Sequence, residues 1–125
     1  MISVGVMLSV ARQAIALLPD EQRQRVSLYD LRFVKPLDAS LLREVFTRSQ
    51  AVLTLEDGVL QGGAGSAVAL WAADNGFPHI PLHILGVPDR FLPVGTREQL
   101  QAACGIDAQG VAQTLRRVLE KTPRK

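Results

Sequence analysis

A chain of 125 residues, 47% hydrophobic and 21% charged, has enough material for one domain with a continuous core and no need of disulfides or a structural metal. The formal charge is only +2, and one tyrosine and one tryptophan stand without interleaved basic residues, which speaks against a nucleic-acid partner. No apolar run is long enough to span a bilayer, and Met1 to Leu8 lack the basic start of a secretory signal, so a cytoplasmic location is expected. Cys104 is the one cysteine, which leaves no internal disulfide or thiol cluster in this chain and reads as a small buried hydrophobe.

Along the chain, short β-type runs alternate with amphipathic stretches, the pattern of a parallel sheet covered by helices on both faces. Ile2 to Val4 reads as a strand, shorter than the four to eight residues usual for a buried central strand, so the chain is expected to start partway into one, as a piece of a larger protein. Met7, Ala11, Ala14, Ile15 and Leu18 recur at helical spacing until Pro19-Asp20. Val26 to Asp30 is a second strand, and Leu41, Leu42, Val45 and Phe46 form the stripe of a second helix. Ala51 to Leu55 is a third strand. Ala64, Ala67, Val68, Trp71 and Ala72 form a third helical stripe, which Asn75-Gly76 can end in a left-handed cap. Leu82 to Leu85 is the last strand, Thr96 with Gln99 is a capping-box pattern, and Gly105 ends the short helix it opens. Asp107 can cap a final helix with Val111, Leu115, Val118 and Leu119 inward and Arg116, Arg117 and Glu120 outward. Much of the basic excess lies in this tail, in Arg116, Arg117, Lys121, Arg124 and Lys125.

Three segments break the pattern, each after a predicted strand. They are Asp30 to Asp38, Glu56 to Ser66 and Gly86 to Pro93. In an open parallel sheet these loops emerge on one edge, where ligands and partners bind. In the first, Arg32 and Lys35 flank Phe33, as an anion clamp or docking surface, or else as a rigid crossover with Asp38 capping a helix and Asp30 paired to a basic neighbour. In the second, the strand runs through an acidic turn, Glu56-Asp57-Gly58, into Gly62-Gly63-Ala64-Gly65-Ser66. These glycines permit close backbone approach, and the N–H groups of the helix start can face an anion, but no lysine follows and the third glycine of a dinucleotide fingerprint is missing. The alternative is a tight turn with close helix–sheet packing. Adjacent Glu56 and Asp57 point in different directions and lack a partner at ligand-like spacing, so no metal is expected. His79 and His83 fall at the N-terminal end of the last strand, away from this edge, without a paired acid or nucleophile.

Taken together, Asp30-Leu-Arg32-Phe33-Val-Lys35-Pro36-Leu-Asp38, Thr54-Leu-Glu56-Asp57-Gly58, Gly62 to Val68 and Leu85-Gly-Val-Pro88-Asp89-Arg90-Phe91 to Thr96 resemble the C-terminal domain of the 1-deoxy-D-xylulose-5-phosphate synthase family. The likeness covers nearly the whole chain, 1–125, as one transketolase C-terminal-like domain. It implies a three-layer α/β/α fold with an open, mostly parallel sheet of about four strands in the order 2-1-3-4, lacking the family's extra antiparallel edge strand upstream of Ile2. The resemblance further implies a thiamine-diphosphate- and magnesium-dependent parent that condenses pyruvate with glyceraldehyde 3-phosphate and releases carbon dioxide. That reaction feeds isoprenoid, thiamine and pyridoxal synthesis. The parent is a homodimer, cytoplasmic in bacteria, whose cofactor sites lie in domains this chain does not contain. No catalytic, cofactor or metal residue is therefore expected here. The candidate interdomain docking or anion contacts are Arg32, Lys35, Glu56, Gly63, Gly65, Ser66, Asp89 and Arg90. Two alternatives stand beside this. One is a free-standing regulatory module holding a phosphate-bearing effector at Gly62 to Ser66, and the other is the same domain of another transketolase-family enzyme.

Overall fold

The structure, a computed structural model, describes residues 1–124. Its elements run β1 (Ile2–Val4), α1 (Met7–Ala16), α2 (Asp20–Arg23), β2 (Tyr29–Leu31), α3 (Ala39–Arg48), β3 (Val52–Val59), α4 (Ala64–Asp74), β4 (Leu82–Val87), α5 (Arg97–Ala103) and α6 (Ala108–Lys121). The strands form one parallel sheet in the order β2-β1-β3-β4, the expected order. β1 is hydrogen-bonded on both sides, with Ile2 level with Tyr29 of β2 and Thr54 of β3.

Alternation along β3 assigns its residues to two apolar layers. Leu53 and Leu55 belong to a core with Met7, Ala11 and Ala14 of α1 and Val111, Ala112, Leu115 and Leu119 of α6. Val52 belongs to the other core, with Ile2, Leu31, Leu42, Val45 and Phe46 of α3 and Val68 and Ala72 of α4. Helices on both faces of the sheet complete the three-layer α/β/α architecture. The aromatic rings of Phe46, Trp71 and Phe77 lie 5.6 to 6.0 Å apart between centroids and close the α3/α4 side.

Several helix ends follow the sequence. Asp38 accepts from the Leu41 N–H and Asp107 from the Gly110 N–H, while Thr96 and Gln99 complete the capping box. Gly76 and Gly105 carry positive φ at 87° and 71°, where a side chain would be strained.

Other expectations are corrected. The acidic turn does not exist as a turn, because β3 continues through Glu56, Asp57 and Gly58 to Val59. Between the Leu55–Leu85 and Val59–Val87 pairs, three β3 residues stand against Gly86 alone, an irregularity that bends the strand and re-aims its side chains. Pro19 does not merely stop α1, since it precedes the extra turn α2 with Asp20 and Glu21 at its start. Val26 to Leu28 lie outside β2, which starts at Tyr29. Cys104 is half-buried at the end of α5 instead of fully enclosed. Arg116 is also half-buried, its guanidinium donating to the Leu17 carbonyl. Lys125, counted in the basic tail, lies outside the described residues.

Candidate functional site: the C-terminal edge of the sheet

Because all four strands are parallel, the segments after Val4, Leu31, Val59 and Val87 leave the sheet on one side. At the centre of this edge is Glu56. By alternation it shares the α4 face of β3 with Val52 and Thr54, and only 4% of its surface is exposed. Its carboxylate accepts from the Ala64 N–H at 2.7 Å and the Gly65 N–H at 3.0 Å. A side-chain carboxylate thus satisfies two of the backbone donors that a helix start leaves open, with the favourable sign of charge for that end of the dipole.

The glycines around Glu56 make room for this contact. A Cβ on Gly63 would stand 2.7 Å from both Glu56 carboxylate oxygens and 2.5 Å from the Val59 carbonyl oxygen. One on Gly65 would stand 2.4 Å from Ile84 Cγ2 and 2.7 Å from Thr54 Oγ1, and one on Gly86 3.1 Å from Glu56 Cγ. Gly63 and Gly65 are therefore required for close packing of α4 on the sheet. Ser66 donates its hydroxyl to the Leu60 carbonyl at 2.6 Å, and Leu60 N–H bonds to the Val87 carbonyl, so the β3–α4 loop is tied to the end of β4.

The remaining candidate residues are exposed. Arg32 stands 4.0 Å from Asp30, a loose pair in solvent, and Lys35 is exposed beyond it. Asp89 and Arg90 are exposed beyond β4. β2 and β4 occupy opposite ends of the sheet, three strand spacings or about 14 Å apart. Arg32 and Arg90 therefore follow strands at opposite ends of the sheet. A cavity of about 500 Å³ opens instead at the other edge, lined by Met1, Ser27, Ala51, Leu53 and Leu119 among others. His83 lies on β4 near its start and His79 in the turn before it, both away from the C-terminal edge as expected.

Further features gather at this edge, some of them outside the three segments expected there. Asp57, the neighbour of Glu56 on the opposite face of β3, pairs with Arg97 of α5 at 2.9 Å. Among the described residues, the exposed large hydrophobics are Val6, Leu17, Phe33, Val59, Leu70, Phe91 and Val94. Five of them, Val6, Phe33, Val59, Phe91 and Val94, lie at or just after the C-terminal ends of the four strands. Phe91 and Val94 are fully exposed. Phe33, Val59 and Phe91 lie in the three segments expected at this edge, whereas Val6 and Val94 do not; their grouping depends on strand order, which single positions do not encode.

The model of the family "Transketolase, C-terminal domain" matches residues 1–111. The chain belongs to the transketolase C-terminal domain family. It is 40% identical over 122 residues to the 1-deoxy-D-xylulose-5-phosphate synthase of Bacteroides thetaiotaomicron, covering 98% of this chain and 19% of that protein. It is 42% identical over 120 residues to the synthase of Magnetococcus marinus, covering 94% and 19%. The chain thus spans about a fifth of the length of the curated relatives it matches. Among solved structures, a chain described as a split gene transketolase, inactive beta4 tetramer, superposes with a TM-score of 0.79 at 27% identity, over 98% of this chain and 39% of that one.

The start of α4 does not fit the diphosphate of thiamine diphosphate. The donors at the start of α4, the place with phosphate-binding character, are already engaged by Glu56. Among the described residues no group of three or more His, Cys, Asp or Glu side chains is placed to hold a metal, and no helix is long and apolar enough to cross a membrane.

Proposed function

We propose that this chain is the C-terminal domain of a 1-deoxy-D-xylulose-5-phosphate synthase, without catalytic activity of its own, and that its C-terminal sheet edge docks on the remaining domains or the second subunit of a homodimeric, cytoplasmic enzyme. The parent condenses pyruvate with glyceraldehyde 3-phosphate with loss of carbon dioxide, using thiamine diphosphate and magnesium held in its other domains. The observation that carries the docking role is the gathering of Val6, Phe33, Val59, Phe91 and Val94 at one edge. Exposed apolar residues concentrated on one side, rimmed by charges such as Arg32, Lys35, Asp89 and Arg90, have the anatomy of a protein interface.

The fate of the helix start weighs against the effector-binding alternative. A phosphate at Gly62 to Ser66 would have to displace the Glu56 carboxylate from the Ala64 and Gly65 N–H groups, against charge repulsion. Incubated alone with pyruvate, glyceraldehyde 3-phosphate, thiamine diphosphate and magnesium, the chain yields no product on this reading. It binds a synthase lacking the matching segment, as followed by sedimentation. Turnover by the chain alone, or no association, overturns the proposal.

A further inference from the structure

We propose that Glu56 is a positioning residue, an internal anion that holds the docking edge in its binding shape; this rests on the docking role argued above. Two connections meet at this side chain, and a third starts from the next residue. The Glu56 carboxylate fixes the first turn of α4 through the Ala64 and Gly65 N–H groups. Its stem lies against Gly86, where a side chain would intrude, at the irregular stretch in which Glu56, Asp57 and Gly58 face that one residue of β4. Its neighbour Asp57 reaches Arg97, the first residue of α5, and so anchors the far end of the 88–96 loop that carries Phe91 and Val94.

The surroundings leave Glu56 no exchangeable role. It is buried, so a partner cannot reach its carboxylate, and a Cβ on Gly63 would crowd both of its oxygens. The Thr54 hydroxyl on the same face of β3 is buried and has no hydrogen-bond partner among the described residues, so it is Glu56 that takes the helix donors. Val59, the last residue of β3, and Leu60, which begins the β3–α4 loop, follow directly from the irregular stretch that holds Glu56. Losing the carboxylate releases two backbone donors and, with them, the register between the loop and the end of β4.

The test compares the whole chain with its Glu56→Gln and Glu56→Ala variants by amide hydrogen exchange and by association with a synthase lacking the matching segment. Glu56→Gln keeps the shape but offers one acceptor oxygen in place of two. Ala64 and Gly65 should then exchange about tenfold faster, residues 59–63 and 88–96 faster as well, and association should weaken by about tenfold, the scale of one lost charge-assisted bond. Formate should restore both readouts in Glu56→Ala, whereas formamide should not, a distinction that mere space-filling does not make. Wild-type exchange and association in Glu56→Gln overturn the positioning role while leaving docking intact. Failure of the wild-type chain to associate overturns docking itself, and the exchange arm still decides whether Glu56 holds the edge.

Discussion

At the scale of single residues, Glu56 and its glycines carry the local stability of the edge. Replacing Glu56 by Ala leaves the Ala64 and Gly65 N–H groups buried without an acceptor. The expected loss is about 3 kcal/mol in urea unfolding, near the upper range for bonds to a charged group. Gly63→Ala drives a methyl to 2.5 Å from the Val59 carbonyl oxygen, a backbone atom that cannot swing aside. It should cost about 2 kcal/mol in the same measurement, the usual scale of overpacking. The glycine-rich stretch announces close approach in the sequence, but not what is approached. An acidic pair followed by glycine is a turn signal, and acidic residues are depleted in strands, so Glu56 reads as a loop residue. Only the partners across space, Gly86 opposite and α4 above, make a buried strand position for it.

At the scale of elements, caps and apolar stripes are local signals, and the structure follows them. Asp38, Thr96 with Gln99, and Asp107 cap the helices expected of them. The consequences of losing a cap differ with what the helix buries. α6 buries Val111, Ala112, Leu115 and Leu119, so Asp107→Ala should lower the stability of the whole chain by about 1 kcal/mol in thermal unfolding. α5 buries no residue, so Thr96→Ala should speed amide exchange within 97–103 and leave the global transition unmoved. What sequence periodicity does not supply are the limits of strands. β2 is only Tyr29–Leu31 because pairing with the short β1 sets its length, and β3 runs on to Val59 because β4 offers a partner for it. Both are properties of neighbours. α2 is hidden for a different reason, since Pro19 is compatible with ending one helix and opening the next.

At the scale of the whole molecule, alternation of strands and helices points to an open parallel sheet, while the order 2-1-3-4 came from the family resemblance. The structure has that order, and with it comes the convergence of the four strand ends on one edge. Residue by residue, Val6, Val59 and Val94 carry no sign of a shared surface. Phe33 and Phe91 are exposed and add little to this chain's own core, so Phe33→Asp with Phe91→Asp should change its unfolding free energy by less than about 0.5 kcal/mol per site. The same pair should remove docking, since apolar anchors at the centre of an interface carry most of its binding energy. The most direct measurement replaces the matching fifth of the Magnetococcus marinus synthase by this chain and follows formation of 1-deoxy-D-xylulose 5-phosphate. The docking account predicts an active chimera that loses activity with Phe33→Asp and Phe91→Asp. An inactive chimera, or one indifferent to those substitutions, would contradict it.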